Sequence, residues 1–243
     1  MILKVKNIYK NFGGIRALNN CSFEIEKGKI TSLIGPNGSG KTTAFNIISR
    51  LIKEDKGKIL LAGEDITNEK DYNVALKGIS RNFQQVRLFK NLTIQEHLEI
   101  ALATEDTKML KSIFKEEQTK IKKIKEILSI VSLDKPLKTY AIELSYGQRK
   151  LLDLAIAIAK PHTILMLDEP VAGVNPKLRQ EIKQILKKLN KRGETILIIE
   201  HDMNFIMDLA EYIFVLDNGQ VIAEGPPKKI QNNPKVLDAY LGE

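Results

Sequence analysis

The stretch from Ile30 to Thr43, reading ITSLIGPNGSGKTT, constrains this chain more than any other. Its opening is apolar at Ile30, Leu33 and Ile34, with the length and β-branched content of a buried strand. That strand runs straight into Gly35-Pro36-Asn37-Gly38-Ser39-Gly40-Lys41-Thr42, which fits the phosphate-loop spacing G-x-x-x-x-G-K-[ST]. A helix is predicted next, because Phe45, Ile47, Ile48, Leu51 and Ile52 fall largely on one face. The glycines permit backbone angles that other residues avoid, so successive N–H groups can turn inward around an anion. The same amides, running on through Thr43, open the helix, whose unpaired N–H groups and dipole also attract negative charge. Lys41 would reach the β- and γ-phosphates of a nucleotide, and the Thr42 hydroxyl would ligate Mg²⁺. A Gly-rich turn without a ligand would use the same residue types. The strand before and the helix after favour the nucleotide site.

A chain of 243 residues has room for one large domain or for a core with an attached subdomain. With 43% hydrophobic and 28% charged residues it reads as a soluble globular protein, and no apolar run approaches the length of a membrane span. The opening MILKVKNIYK carries charges every few residues and no apolar signal core, so export is not expected. Cys21 is the single cysteine and cannot form an intramolecular disulfide, which suits a reducing cytosol. Within the alternating stretch Leu18 to Ile25 it reads as a small core residue. The net charge of +8 would suit nucleic acid or an anionic membrane surface. It is dispersed rather than gathered in one block, and a solvated surface is the more frequent explanation.

Residues 2 to 30 alternate like antiparallel strands, with a turn at Glu26-Lys27-Gly28-Lys29. Phe12, just ahead of Gly13-Gly14, is either a core aromatic or a flat face for a purine ring, and its position alone favours the core. Short strands follow at Lys58 to Ala62 and from Gly78 to the amides Gln84 and Gln85. From Leu88 to Ala159 strands give way to helical spacing, with lysines between the apolar positions of Thr107 to Val131. That change predicts an α-helical subdomain, about 87–160, inserted into an α/β core at 1–86 and 161–243.

Leu144-Ser145-Tyr146-Gly147-Gln148 closes the insertion. Ser145 and Gln148 have the spacing of a capping box, so a helix should begin here and offer a second anion seat. Capping leaves Gly147 unexplained, since glycine in a first turn is costly unless something approaches the backbone closely. Thr163 to Leu167 is a buried strand emptying into Asp168-Glu169-Pro170, the second half of a phosphate-loop architecture, in which Asp168 holds Mg²⁺. Glu169, next along, points elsewhere. After a helix from Pro176 to Leu189, a third buried strand, Thr195 to Ile199, ends at Glu200-His201-Asp202. His201 thus stands on the sheet edge where a ligand should lie, a placement that His97 and His162 lack. Ile213 to Ala223 reads as a hairpin turning at Asn218-Gly219.

Phosphate loop, Gln84, LSYGQ, ILMLDEP and His201 occur in the order of ABC-type ATPase subunits, and the chain resembles that family over essentially its whole length. The resemblance implies a P-loop NTPase (RecA-like) core with an antiparallel β subdomain and the inserted α-helical subdomain. It implies that Phe12 stacks on adenine, reversing the reading from position alone. By the same resemblance Gln84, with Gln85 as second choice, contacts Mg²⁺ and the attacking water. Asp168 looks like the metal-binding acid, Glu169 the general base and His201 the γ-phosphate contact. Ser145, Gly147 and Gln148 resemble the signature that binds the γ-phosphate of nucleotide held by a second copy. The implied cofactors are ATP and Mg²⁺. The implied partners are a second ATPase subunit, identical or related, and integral membrane permease subunits, with this chain peripheral on the cytoplasmic face; no nucleic acid is expected.

Two departures stand out. Tyr146 replaces the more usual glycine of the signature, and Ala172-Gly173-Val174-Asn175 stands where many members have a stretch ending in Asp. Within the family, Phe83 to Phe89, Leu144 to Lys150, Ala172 to Pro176, Ile199 to Met203 and Asn233 to Glu243 look most like the ATPase subunits of branched-chain amino-acid importers. Subunits of lipopolysaccharide export and urea uptake share much of this look. A soluble ABC ATPase acting on nucleic acid is the alternative from another class, and a phosphate-loop kinase leaves LSYGQ and His201 without a role.

Overall fold

The computed structural model describes residues 1–82, 87–103 and 113–241. It forms two compact units, one of Met1–Arg81, His162–Glu169 and Leu186–Glu243, the other of Asn82–Pro161 and Pro170–Ile185. The second unit therefore differs from the expected span of about 87–160: it begins at Asn82 and takes in Pro170–Ile185. The reason is tertiary. Ala172, Gly173 and Leu178 meet Tyr146 and Gly147 of the signature segment.

Among the described residues, every strand belongs to the first unit: β1 (Leu3–Phe12), β2 (Ile15–Ile25), β3 (Ile30–Ile34), β4 (Lys56–Leu61), β5 (Glu64–Asp65), β6 (Ile79–Arg81), β7 (Ile164–Asp168), β8 (Ile196–Ile199), β9 (Tyr212–Asp217) and β10 (Gln220–Gly225). One antiparallel sheet has the order β2-β1-β4-β5. The other has the order β10-β9-β3-β8-β7-β6, in which β9, β3, β8, β7 and β6 run parallel and β10 pairs antiparallel at the edge. β3, β7 and β8 are buried along their whole length. The apolar runs of β7 and β8 are what a parallel strand covered on both faces requires, and β3 buries Thr31 and Ser32 among its apolar residues, with Ser32 Oγ donating to the Ile198 carbonyl. Leu33, Phe45, Ile48, Met166, Leu197, Ile199 and Phe214 share one core, each such side chain contributing roughly 1.5–3 kcal/mol by burial. Cys21 lies in the same core, and burial pushes its thiol up to about 12.

The carboxyl ends of β3, β6, β7 and β8 lead into Gly35, Asn82, Glu169 and Glu200, and it is at such ends that parallel sheets hold ligands. The helix after the phosphate loop, Lys41–Ile48, is shorter than its pattern predicts. Ser49 ends it and Arg50 turns left-handed at φ 60°, which leaves Leu51 exposed.

In the second unit the helices Ile94–Leu102, Ile113–Ile130 and Tyr146–Ala159 pack together around Leu98, Ala101, Ile124, Leu128, Leu152 and Ala155. Thr93 and Glu96 close a capping box on the first of these. Lys120, Lys122, Lys123 and Lys125 face solvent, so that run of charge is a solvated helix surface. His97 is buried: its Nδ1 lies 2.8 Å from the Thr93 carbonyl and its Nε2 accepts from the Phe89 amide, a structural role. No helix among the described residues is long and apolar enough to cross a membrane.

Candidate active site

The phosphate loop is held in a shape that only its glycines allow. Gly35 and Gly40 have φ of 151° and 103°. A Cβ on Gly35 would lie 2.0 Å from the Leu216 carbonyl oxygen, and one on Gly40 2.5 Å from that of Ala17. The Gly219 amide donates to the Ser39 carbonyl, tying the loop to the β9–β10 hairpin. Gly40 caps the helix Lys41–Ile48 with backbone alone, and the first turn has no acid. Its amides are therefore aimed at whatever anion enters. Pro36 and Ser39 are buried, whereas Asn37, Gly38 and Thr42 are exposed and Thr43 half-buried. Lys41 is buried, with its Nζ donating to the Gly35 carbonyl (2.8 Å), the Pro36 carbonyl (2.7 Å) and Ser39 Oγ (3.3 Å).

The two adjacent acids diverge, as neighbouring residues leaving a strand do. Asp168, buried at the end of β7, accepts from Arg81 Nη2 at 2.9 Å. Glu169 turns the other way, its Oε1 lying 2.9 Å from Nε2 of His201, which is about half exposed. Its φ of 48° is left-handed, which in a non-glycine residue costs on the order of 1–2 kcal/mol. Its own amide, donating to the Ile199 carbonyl on β8, helps hold that conformation. Lys41, Asp168, Glu169 and His201 thus all stand on one sheet edge. Arg81 was given no role by the sequence reading. Its only signal was a cation closing a short buried strand.

Phe12 corrects the reading from position alone. It is 45% exposed at the end of β1, with Lys10 Nζ 5.3 Å from the ring centroid, so it is not a core residue. An open aromatic face is what stacking on a purine requires. Gln84 and Gln85 lie outside the described residues.

In the second unit, Ser145 caps the helix Tyr146–Ala159 and forms the full box with Gln148, each amide donating to the other's side chain. Gly147 lies against Leu178: a Cβ there would meet Leu178 Cδ2 at 2.6 Å, a contact that a shift of that flexible side chain relieves. The two departures also acquire roles. The Tyr146 hydroxyl donates to the Ala172 carbonyl at 3.2 Å, and Asn175 Oδ1 accepts from the Leu178 amide, capping the helix Pro176–Lys191 as an Asp would. Ser145, Tyr146, Gln148, Gly173 and Asn175 line an open cleft of about 590 Å³.

Among the described residues no three His, Cys, Asp or Glu side chains gather into a metal cage. A nucleotide-borne Mg²⁺ needs none, since it keeps several waters and takes one or two protein oxygens besides phosphate. Asp168 and Thr42 are hard oxygen donors of that kind, so the residues present fit the group.

Comparison with known proteins agrees with this geometry. The ABC transporter family matches residues 18–172, more than half of the chain. The chain belongs to the ABC transporter family. This ABC ATPase is 41% identical to a probable branched-chain amino acid transport ATP-binding protein, LivG, of Archaeoglobus fulgidus, over 99% of this chain and 95% of that protein. Its residues 220–243 match a second family, the branched-chain amino acid ATP-binding cassette transporters. Among solved structures it is similar to the ADP conformation of an ATP-binding cassette of an ABC transporter, with a TM-score of 0.86 and 37% identity over 100% of this chain and 99% of that one. It is also similar to a dimeric cassette in a post-hydrolysis state bound to ADP and Pi, with a TM-score of 0.82 and 29% identity over 93% and 99% of the two chains. The expected α/β P-loop fold is confirmed, and the ABC ATPase is an ATP-binding, ATP-hydrolysing subunit.

Proposed function

We propose that this ABC ATPase drives import of branched-chain amino acids through separate integral membrane subunits, as a MgATPase bound peripherally to the cytoplasmic face of the membrane. The observation that carries the chemistry is that Lys41, Asp168, Glu169 and His201 close or follow the carboxyl ends of the neighbouring parallel strands β3, β7 and β8, the edge that holds the phosphate loop, with Glu169 and His201 in contact. The solute is supported by the Archaeoglobus relative and by the family matched at residues 220–243.

In this reading the loop amides and Lys41 grip the β- and γ-phosphates, while Phe12 stacks on adenine. Thr42 and Asp168, with Gln84, would hold Mg²⁺, which neutralises charge on the phosphates when bound. Glu169 orients the attacking water and takes its proton, and His201 keeps that carboxylate aimed while facing the γ-phosphate. Ser145, Gly147 and Gln148 of a second ATPase subunit, identical or related, complete the site across a dimer. The γ-phosphate is then shared with a second helix N-terminus, so its loss on hydrolysis removes the attraction and the pair reopens.

The test is co-purification with the membrane subunits, reconstitution into liposomes and measurement of ATP-driven uptake of labelled leucine, isoleucine or valine. Accumulation of these, with ATPase activity stimulated by the membrane subunits, is the expected result. ATPase activity indifferent to the membrane subunits but stimulated by DNA or RNA would replace this reading with the nucleic-acid one. Uptake of urea alone would move the solute.

A further inference from the structure

Arg81 is a buried cation at this edge to which neither the motifs nor the family resemblance assigns a role. It closes β6 and pairs in register with Met166 of β7, two residues before Asp168 and on the same face of the sheet. Its side chain is 7% exposed, with the guanidinium 5.5 Å from the Phe45 ring centroid. One arm, Nη2, donates to Asp168 Oδ2 at 2.9 Å. The other, Nη1, donates to Asn46 Oδ1 and Ser49 Oγ, both at 2.8 Å. The Ser49 hydroxyl spends its own proton on the Phe45 carbonyl at 2.9 Å, which leaves a lone pair for the arginine. Asn46 follows Thr42 by one helical turn, so Arg81 grips the helix on the face that carries Thr42.

We propose that Arg81 is a positioning residue for the divalent cation: its guanidinium fixes the Asp168 carboxylate relative to the phosphate-loop helix, and thereby sets how tightly nucleotide-bound metal is held. This rests on the reading above, in which Thr42 and Asp168 are the protein's metal oxygens. Those two donors come from different elements, and the guanidinium bridges the same two elements. A planar fork can hold a carboxylate on one side and two neutral acceptors on the other; an ammonium is a point charge and cannot span them. Outer-shell partners of this kind orient metal-ligating carboxylates and are typically worth about 10–100-fold in metal affinity.

Two variants separate positioning from mere packing. Arg81→Lys keeps the charge and loses the fork, and Asn46→Ala removes the helix anchor while leaving Arg81 and Asp168 intact. Binding of Mn²⁺ to the full chain with saturating ADP is followed by electron paramagnetic resonance, and ADP binding in EDTA is followed with a fluorescent analogue. Mn²⁺ affinity should fall about tenfold in Arg81→Lys and by a smaller factor in Asn46→Ala, with ADP binding in EDTA unchanged in both. Unchanged Mn²⁺ affinity in both variants, even alongside a lower melting temperature, makes Arg81 a strut and overturns the proposal. If the unmodified chain binds ADP equally with Mn²⁺ and with EDTA, the metal role of Thr42 and Asp168 fails first and this inference goes with it.

Discussion

Asp153 offers a measurement in which burial sets the sign. It sits on the helix Tyr146–Ala159, with Oδ2 buried and lacking a hydrogen-bond partner among the described residues. Burial pushes its carboxyl from an ordinary 3.8 up to about 6, against Lys150 and the Asn82 side-chain hydrogen bond, both of which favour the charged form. The folded state therefore holds this proton more tightly than the unfolded chain does. Its stabilising contribution is fully present below the unfolded value and is lost as pH rises through about 6. The whole gap corresponds to roughly 3 kcal/mol, of which ~1.4 kcal/mol is crossed between pH 5 and pH 8. Asp153→Asn cannot titrate there, so the difference in melting temperature between variant and parent isolates this one group. For a chain of this size ~1.4 kcal/mol corresponds to about 3–6 °C. The variant should gain that much on the parent from pH 5 to pH 8, followed by circular dichroism or calorimetry. A difference that stays constant to about one degree, or that moves the other way, refutes the buried-acid reasoning.

Two further substitutions test the nucleotide site. Lys41→Ala should abolish nucleotide affinity and hydrolysis together, and should lower the melting temperature of the free chain because it strips a donor from the Gly35 and Pro36 carbonyls; normal turnover would remove the phosphate-loop assignment. Glu169→Gln should keep ATP binding, lose about 10²–10⁴-fold in hydrolysis and accumulate as a closed dimer on a sizing column. A variant that stays monomeric and active puts the base elsewhere.

What could be read from the sequence follows from how locally each feature is determined. β7 and β8 were legible because a parallel strand buried on both faces is apolar at nearly every position, whatever its neighbours, and β3, with Thr31 and Ser32 inside it, was legible from its apolar ends and the loop that follows. The Ser145–Gln148 box was legible because a cap is satisfied within four residues. Phe12 was misjudged from position because the alternation of β1 is interrupted: its pairing with β2 shifts register between Ile8 and Lys10 and again between Lys10 and Asn11. Past those shifts, inside and outside can no longer be counted from Leu3. The end of the helix Lys41–Ile48 depends on a left-handed Arg50 that no spacing rule marks. Arg81 and Gly147 needed the fold itself. The first meets Asp168 on a neighbouring strand, and the second lies against Leu178 of a returning helix. A contact across that much chain leaves no trace in a window of neighbouring residues.

The charged groups of the edge share one property that bears on how the ATPase switches. Lys41 rests on loop carbonyls, Asp168 on Arg81 and Glu169 on His201. Each has a partner inside its own chain, which offsets part of the several kcal/mol that a buried, unpartnered charge would cost. Nucleotide entry is then an exchange of partners, and its free energy is a difference. In the function proposed above, Lys41 exchanges neutral carbonyls for phosphate oxygens, which adds the attraction of opposite charges to hydrogen bonds that its ammonium already makes strong. The gain grows with the charge delivered at the loop and shrinks when the γ-phosphate leaves.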